Sequence, residues 1–311
     1  MSELAPIALF VYNRVETLQI TIDTLLKNQQ ANQSRLYIFS DGPKNETAVD
    51  GVTKVRDFLK TITGFADIVI LERDKNLGLA HSIITGVTEM LQKYNSVIVL
   101  EDDLVLSPYF LKFMNDSLQM YANDEQVASV HAYLYPYKKT MPETFFSPET
   151  DCLGWGTWTR AWKYFEADGT KLLKQLVDRK LVYKFNINGS YNYYDMLRKQ
   201  TQGKVSSWAV RWQAAALLLN KLTLNAGRSL VQHQHFGEGT HVQNLTILDT
   251  ELSDKPIVVE RIPAKPDKIA MMEKIRFMLN AHYSKNIRWR VLIKYVFLGR
   301  FFQNILTKNY E

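Results

Sequence analysis

Residues Val97-Ile98-Val99-Leu100-Glu101-Asp102-Asp103-Leu104-Val105-Leu106-Ser107-Pro108 run an apolar segment straight into three adjacent carboxylates. Residues 96–100 are short, β-branched and unbroken by polar side chains, which predicts a strand buried on both faces of a parallel sheet. In open α/β sheets, ligands bind outside the carboxyl ends of such strands. Three neighbouring acids there repel one another and raise each other's pKa unless a cation or a hydroxyl-rich ligand lies among them. A divalent metal carrying a diphosphate is the natural candidate. The competing reading is a solvated acidic turn before a helix, with Ser107-Pro108 as its N-cap and first residue.

Working outward toward the N-terminus, strands are expected at residues 7–12, 36–39 and 67–71, with helices over 17–29, 46–61 and up to about residue 94. Strand and helix alternate four times in about 120 residues, which argues for an α/β, doubly wound, mostly parallel sheet with right-handed crossovers. The strand ends carry Asn13-Arg14, Ser40-Asp41-Gly42-Pro43 and Asn76-Leu77-Gly78-Leu79-Ala80-His81. No period of 20–50 residues recurs, so a solenoid is excluded.

Beyond Ala132 the pattern changes. Residues 133–147 read as a loop, and Gly154-Trp155-Gly156-Thr157-Trp158 reads as the opening of an aromatic helix through Phe165. Helices are expected over 171–183 and 206–219, and short strands at 223–225 and 229–231. A loop with glycines and histidines follows, His233-Gln234-His235-Phe236-Gly237-Glu238-Gly239-Thr240-His241. The organisation expected is an α/β half over 1–132, a second half of the same domain over 133–260, and a basic amphipathic tail over 261–311.

The formal charge of +6 is a property of that tail. Residues 261–311 hold eleven Lys/Arg against three Asp/Glu, whereas residues 1–260 hold 27 against 29. Residues 286–306 interleave basic and aromatic side chains, and their apolar runs fall far short of the roughly 20 residues that a membrane span needs. The tail is expected either to lie at a membrane surface or to dock on its own domain with a solvated basic face. No nucleic-acid-binding motif accompanies the charge. One cysteine, Cys152, excludes an intrachain disulfide, and with no secretory signal the expected location is cytoplasmic, peripheral at the inner face of the plasma membrane.

Taken in order, Asn13-Arg14, Ser40-Asp41-Gly42, Asn76 to Ala80, Glu101-Asp102-Asp103 and Gly154-Trp155-Gly156 resemble the motifs of GT-A fold nucleotide-sugar glycosyltransferases. The chain is similar to bacterial family 2-like enzymes and, through Phe236-Gly237-Glu238-Gly239 as well, to N-acetylglucosaminyltransferase I of family 13. The likeness covers roughly residues 5–245. It implies a metal-dependent, inverting transfer from a UDP-sugar to a glycan or lipid-linked glycan acceptor in bacterial surface polysaccharide synthesis. It also implies Mn²⁺ or Mg²⁺ bound by Asp103, ribose contacted by Asp102, and a donor hydroxyl contacted by Glu101. Asp41 would accept from the uracil and Arg14 would contact the base, with Asn13, Asn76 and His81 nearby.

Thr240 and His241, in a glycine-rich lid, are expected at the diphosphate or metal. Gly154, Trp155, Gly156 and Trp208 are expected to wall the acceptor site, since indole faces stack on pyranoses. An inverting transfer also needs a carboxylate base. The family 13 base precedes a Trp by two residues, and Ser206 stands at that position here, so Asp151 and Glu238 become the candidates, with Asp195 behind them. Two other readings stay open: a sugar-nucleotide nucleotidyltransferase, although residues 7–16 lack the glycine-rich phosphate loop, and a catalytically silent transferase-like subunit.

Overall fold

Strand β1 (Ile7–Val11) is buried along its whole length and pairs in parallel with β2 (Arg35–Ser40) on one side and β4 (Ser96–Glu101) on the other. Such a strand has no polar face to offer, which is why its sequence is continuously apolar. The computed structural model describes residues 4–234 and 248–283. Outside β2 lies β3 (Asp67–Glu72), also parallel. The crossovers are α1 (Val15–Leu26), α2 (Val49–Leu59) and α3 (Leu79–Lys93). In α1 the buried residues Leu18, Ile22 and Leu25 recur at helical spacing and face the sheet.

After β4 come a short β5 (Leu104–Leu106), α4 (Phe110–Met120) and β6 (Val127–His131). Residues 133–147, expected as a loop, end in β7 (Thr144–Ser147), which occupies the sheet edge against β9 (Leu222–Ala226). The largest departure is β8 (Trp155–Trp158), which is a fully buried strand and not the start of a helix. It runs antiparallel between β4 and β6, and the helical turn α5 (Thr159–Trp162) begins only after it. The aromatic spacing that suggested a helix is real, but Trp155 and Trp158 face the core from a strand. The described sheet of eight strands therefore runs β3-β2-β1-β4-β8-β6-β9-β7 and is continuous across both halves of the chain. It is mixed α/β with a parallel N-terminal half, as the alternation predicts.

A helical layer follows: α6 (Gly169–Asp178), α7 (Val182–Phe185), α8 (Tyr193–Thr201) and α9 (Ala209–Leu218). The single helix expected over 171–183 breaks into α6 and α7 at Lys180, whose φ of 57° ends the first. Strand β10 (Val231–His233) lies two residues later than expected and pairs with β5. Finally α10 (Lys268–His282), capped by the Asp267 carboxylate on the Ala270 N–H, folds back on the domain. Part of the basic tail is thus a docked helix; residues 284–311 lie outside the described residues. Among the described residues no helix is long and apolar enough to cross a membrane.

Trp155 is fully buried and stacks on Trp208 at 4.9 Å between centroids, with Trp162 at 5.8 Å. Trp155→Ala is expected to cost about 3–5 kcal/mol, seen as a lower denaturant midpoint at an unchanged m-value.

Candidate functional site

Register fixes which residues share an edge. Val99 pairs with Trp155 in the antiparallel β4–β8 ladder, so the segment before β8 runs past the carboxyl end of β4, with Asp151 and Cys152 beyond Glu101. His131 pairs with Trp155 and with Asn225. The acids after β4, the segment before β8 and the last residues of β6 and β9 therefore meet at one edge of the sheet.

The three acids are not a solvated turn. Asp102 and Asp103 are 4% and 8% exposed. Arg14 at the end of β1 spans them, its Nη2 donating to Asp102 Oδ1 at 2.6 Å and Asp103 Oδ2 at 2.9 Å, and the Tyr12 N–H donates to Asp102 Oδ2 at 3.2 Å. Antiparallel pairing of β10 with β5 brings His233 Nε2 to 3.4 Å from Asp103 Oδ2. Burial, together with the charges of Asp103 and Asp102, pushes Glu101 up to about 8. Burial likewise lifts Asp102 to about 6 against the pull of Arg14. Burial acts to raise Asp103 too, but His233 and Arg14 outweigh it and hold that carboxyl below its ordinary value. Arg14 is itself raised: its own burial opposes the charge, and the two carboxylates more than compensate. One guanidinium against three acids leaves a site short of positive charge. Among the described residues no group of three or more His, Cys, Asp or Glu could hold a metal on protein ligands alone.

Arg14 is thus committed to carboxylates where a base contact was expected. Asp41, expected to accept from the uracil, is held by backbone N–H groups. Its Oδ1 accepts from the Gly42 and Leu77 N–H groups at 3.1 and 2.9 Å, and its Oδ2 from Leu77 and Gly78 at 3.1 and 2.9 Å. Three backbone N–H groups thus hold the carboxylate, with that of Leu77 shared between its two oxygens. Asn76 Nδ2 donates to the Gly42 carbonyl at 2.9 Å. A Cβ on Gly42 would sit 2.7–2.8 Å from the backbone of Arg73 and Lys75, which is why this close approach takes glycine. Asp41 and Asn76 therefore tie the β2 and β3 connections together beneath the site. His81 is exposed in the first turn of α3, and Asn13 is half-buried beside Arg14.

On the other side of the acids lies a second polar cluster. Asp151 Oδ2 accepts from the Tyr135 hydroxyl at 2.5 Å and from Lys274 Nζ at 3.3 Å, and Asp151 Oδ1 accepts from the Cys152 N–H at 3.0 Å. A cavity of about 20 Å³, room for a water molecule, is lined by Tyr135, Asp151 and Lys274 with His131, Glu149 and Asn225. Burial works to raise Asp151, but the charge of Lys274 and the other contacts hold it below its usual value. Burial pushes the Cys152 thiol well up, helped by Asp151, Glu101 and Asp103, which places Cys152 within the field of both clusters.

The indoles expected as an acceptor wall lie in the core. Trp155 and Trp208 stack on each other in the core, at 0% and 4% exposure. Gly154 (φ 63°) and Gly156 are packing positions, where a Cβ would meet Val231 and Met114 at 2.6 and 2.9 Å. Asp195 is bound to Arg198 and Lys199 on α8, and Ser206 is exposed. Glu238, Thr240 and His241 lie outside the described residues. Sequence reasoning missed Tyr135 and Lys274, and passed over His131. A usable signal was present in Tyr133-Leu-Tyr135-Pro-Tyr137, whose alternation aims aromatic side chains to one side.

The family model described as "Glycosyl transferase family 2" matches residues 7–180. No curated protein matches the chain. Among solved structures, the mannosyltransferase PcManGT from Pyrobaculum calidifontis, in complex with GDP-Man and Mn²⁺, is similar at 12% identity over 70% of this chain and 77% of its own, with a TM-score of 0.36.

Proposed function

The chain belongs to glycosyl transferase family 2 and is a glycosyltransferase of GT-A fold, and we propose that it transfers a sugar from a nucleoside diphosphate donor seated at the carboxyl ends of β1, β2 and β4. The carrying observation is the acid triplet, with Asp102 and Asp103 buried and bridged by a single arginine. An acidic cluster that keeps Glu101 near 8 and Asp102 near 6 gains stability from a cation arriving with the donor.

The residues fit a hard divalent ion, Mn²⁺ or Mg²⁺, held through the Asp103 carboxylate, with the diphosphate and water completing its shell. When bound, such an ion neutralises the charge that develops on the departing diphosphate. Asp102 and Glu101 supply acceptors for ribose and sugar hydroxyls. UDP is the nucleotide we favour, from the motif resemblance. Asp151, ionised and at the same edge, takes the proton of the acceptor hydroxyl while its oxygen bonds to the sugar C1 and the nucleoside diphosphate leaves, which inverts the anomeric centre. The acceptor we propose is a glycan, free or lipid-linked, of bacterial surface polysaccharide, approached with the basic tail at the membrane surface.

Calorimetric titration with UDP and GDP, each with and without Mn²⁺, tests the donor site. Metal-dependent binding of UDP in preference to GDP is expected. Absence of binding by any nucleoside diphosphate would overturn the donor assignment and leave a transferase-like binding subunit.

A further inference from the structure

Lys274 stands in the second turn of α10, far outside the span 7–180 that carries the family match. A lysine side chain with 6% exposure is costly unless its ammonium is paired and hydrogen-bonded. Its partner is Asp151 at 3.3 Å, and it also lies over the Tyr135 ring, 3.2 Å from the centroid. The same Asp151 oxygen takes the Tyr135 hydroxyl at 2.5 Å. Two loop residues and a helix residue more than 120 positions downstream thus converge on one carboxylate at this edge of the sheet.

We propose that Lys274 is a positioning residue for the transfer: from α10 it fixes Asp151 against Tyr135 and keeps it ionised, so that the C-terminal helix completes the acceptor side of the active site. The inference rests on Asp151 being the base.

The other groups facing Asp151 do not replace Lys274. His131, from β6, is pushed down to about 4 by burial and is neutral near pH 7. Glu149 is raised by burial, and burial likewise raises the hydroxyls of Tyr133, Tyr135 and Tyr137. Tyr193 from α8 and the Cys152 thiol are raised as well, burial again first. All of these stay neutral or carry negative charge. Glu273, the neighbouring acid on α10, is turned to the Lys138 N–H at 3.0 Å and to Arg276. Lys274 is the one cationic side chain lining the cavity among the described residues. Its own pKa is lowered by burial, against the support of Asp151 and Glu149.

The test is the pH dependence of kcat in Lys274→Met and Lys274→Arg, with donor KM and thermal midpoint recorded alongside. A carboxylate base works above its pKa, so the rate falls as pH drops through that value. An opposite charge close by depresses a carboxyl pKa by about 1–3 units. Lys274→Met is therefore expected to move the acid limb upward by about one pH unit or more, and to lower kcat near neutrality about tenfold or more, with donor KM unchanged. Lys274→Arg is expected to restore most of the rate and the original limb. If Lys274→Met does not fold, Lys274→Gln and Tyr135→Phe provide the same readout. An acid limb that superimposes on the wild type, in variants whose Asp151→Asn counterpart is inactive, would overturn the role of Lys274 alone. Full turnover by Asp151→Asn would overturn the base assignment and this inference together.

Discussion

Asp103→Ala is expected to lower kcat/KM by about 10³-fold or more, a loss of about 4 kcal/mol of transition-state stabilisation at 1.36 kcal/mol per decade. Asp103 is the last of the three acids and the one held most firmly as a carboxylate, by His233 and Arg14. Its removal leaves Arg14 paired with Asp102 at 2.6 Å, so no buried cation is stranded and the fold survives. The loss therefore falls on the donor complex. Calorimetry should show Mn²⁺-dependent nucleotide binding abolished in Asp103→Ala and strongly weakened in Asp103→Asn, with thermal midpoints close to wild type. Near-wild-type kcat/KM in both variants would remove Asp103 from the metal site.

Asp151→Asn is expected to lower kcat by about 10²–10⁴-fold, the range that a positioned general base supplies, while donor affinity stays within about twofold. The amide keeps the shape of the carboxylate, and its oxygen still accepts from the Tyr135 hydroxyl. What it loses is basicity and the pairing with Lys274. Steady-state kinetics at saturating donor and acceptor separate this from a binding defect, because a base acts on kcat. An equal fall in donor affinity would mark Asp151 as structural.

The parallel strands were legible because 7–11 and 97–100 are short, wholly apolar runs with β-branched residues, closed by polar turns, too short for a buried helix. Strand β8 was not. Trp155, Trp158, Trp162 and Phe165 fall at helical spacing, and four residues of strand cannot outvote that pattern locally; pairing with β4 and β6 decides it. The acids were legible as a cluster because they are adjacent in sequence. The work of Asp41 was hidden because its partners are backbone N–H groups of Leu77 and Gly78, which carry no side-chain signature. Lys274 was hidden differently: in a tail of eleven basic residues, the one that is buried looks like the rest, and only the return of α10 onto the sheet singles it out.

The reversed direction of β8 has one more consequence. Parallel strands offer a ligand the loops that leave them, but an antiparallel strand in their midst offers the segment that arrives. The stretch 148–154 thus stands at the ligand edge while the chain leaving β8 emerges on the opposite side. On the proposed reading, the donor side and the acceptor side then rest on strands of opposite direction within one sheet. On that reading, substitution in the segment before β8 is expected to alter the choice of acceptor while the acids after β4 stay as they are.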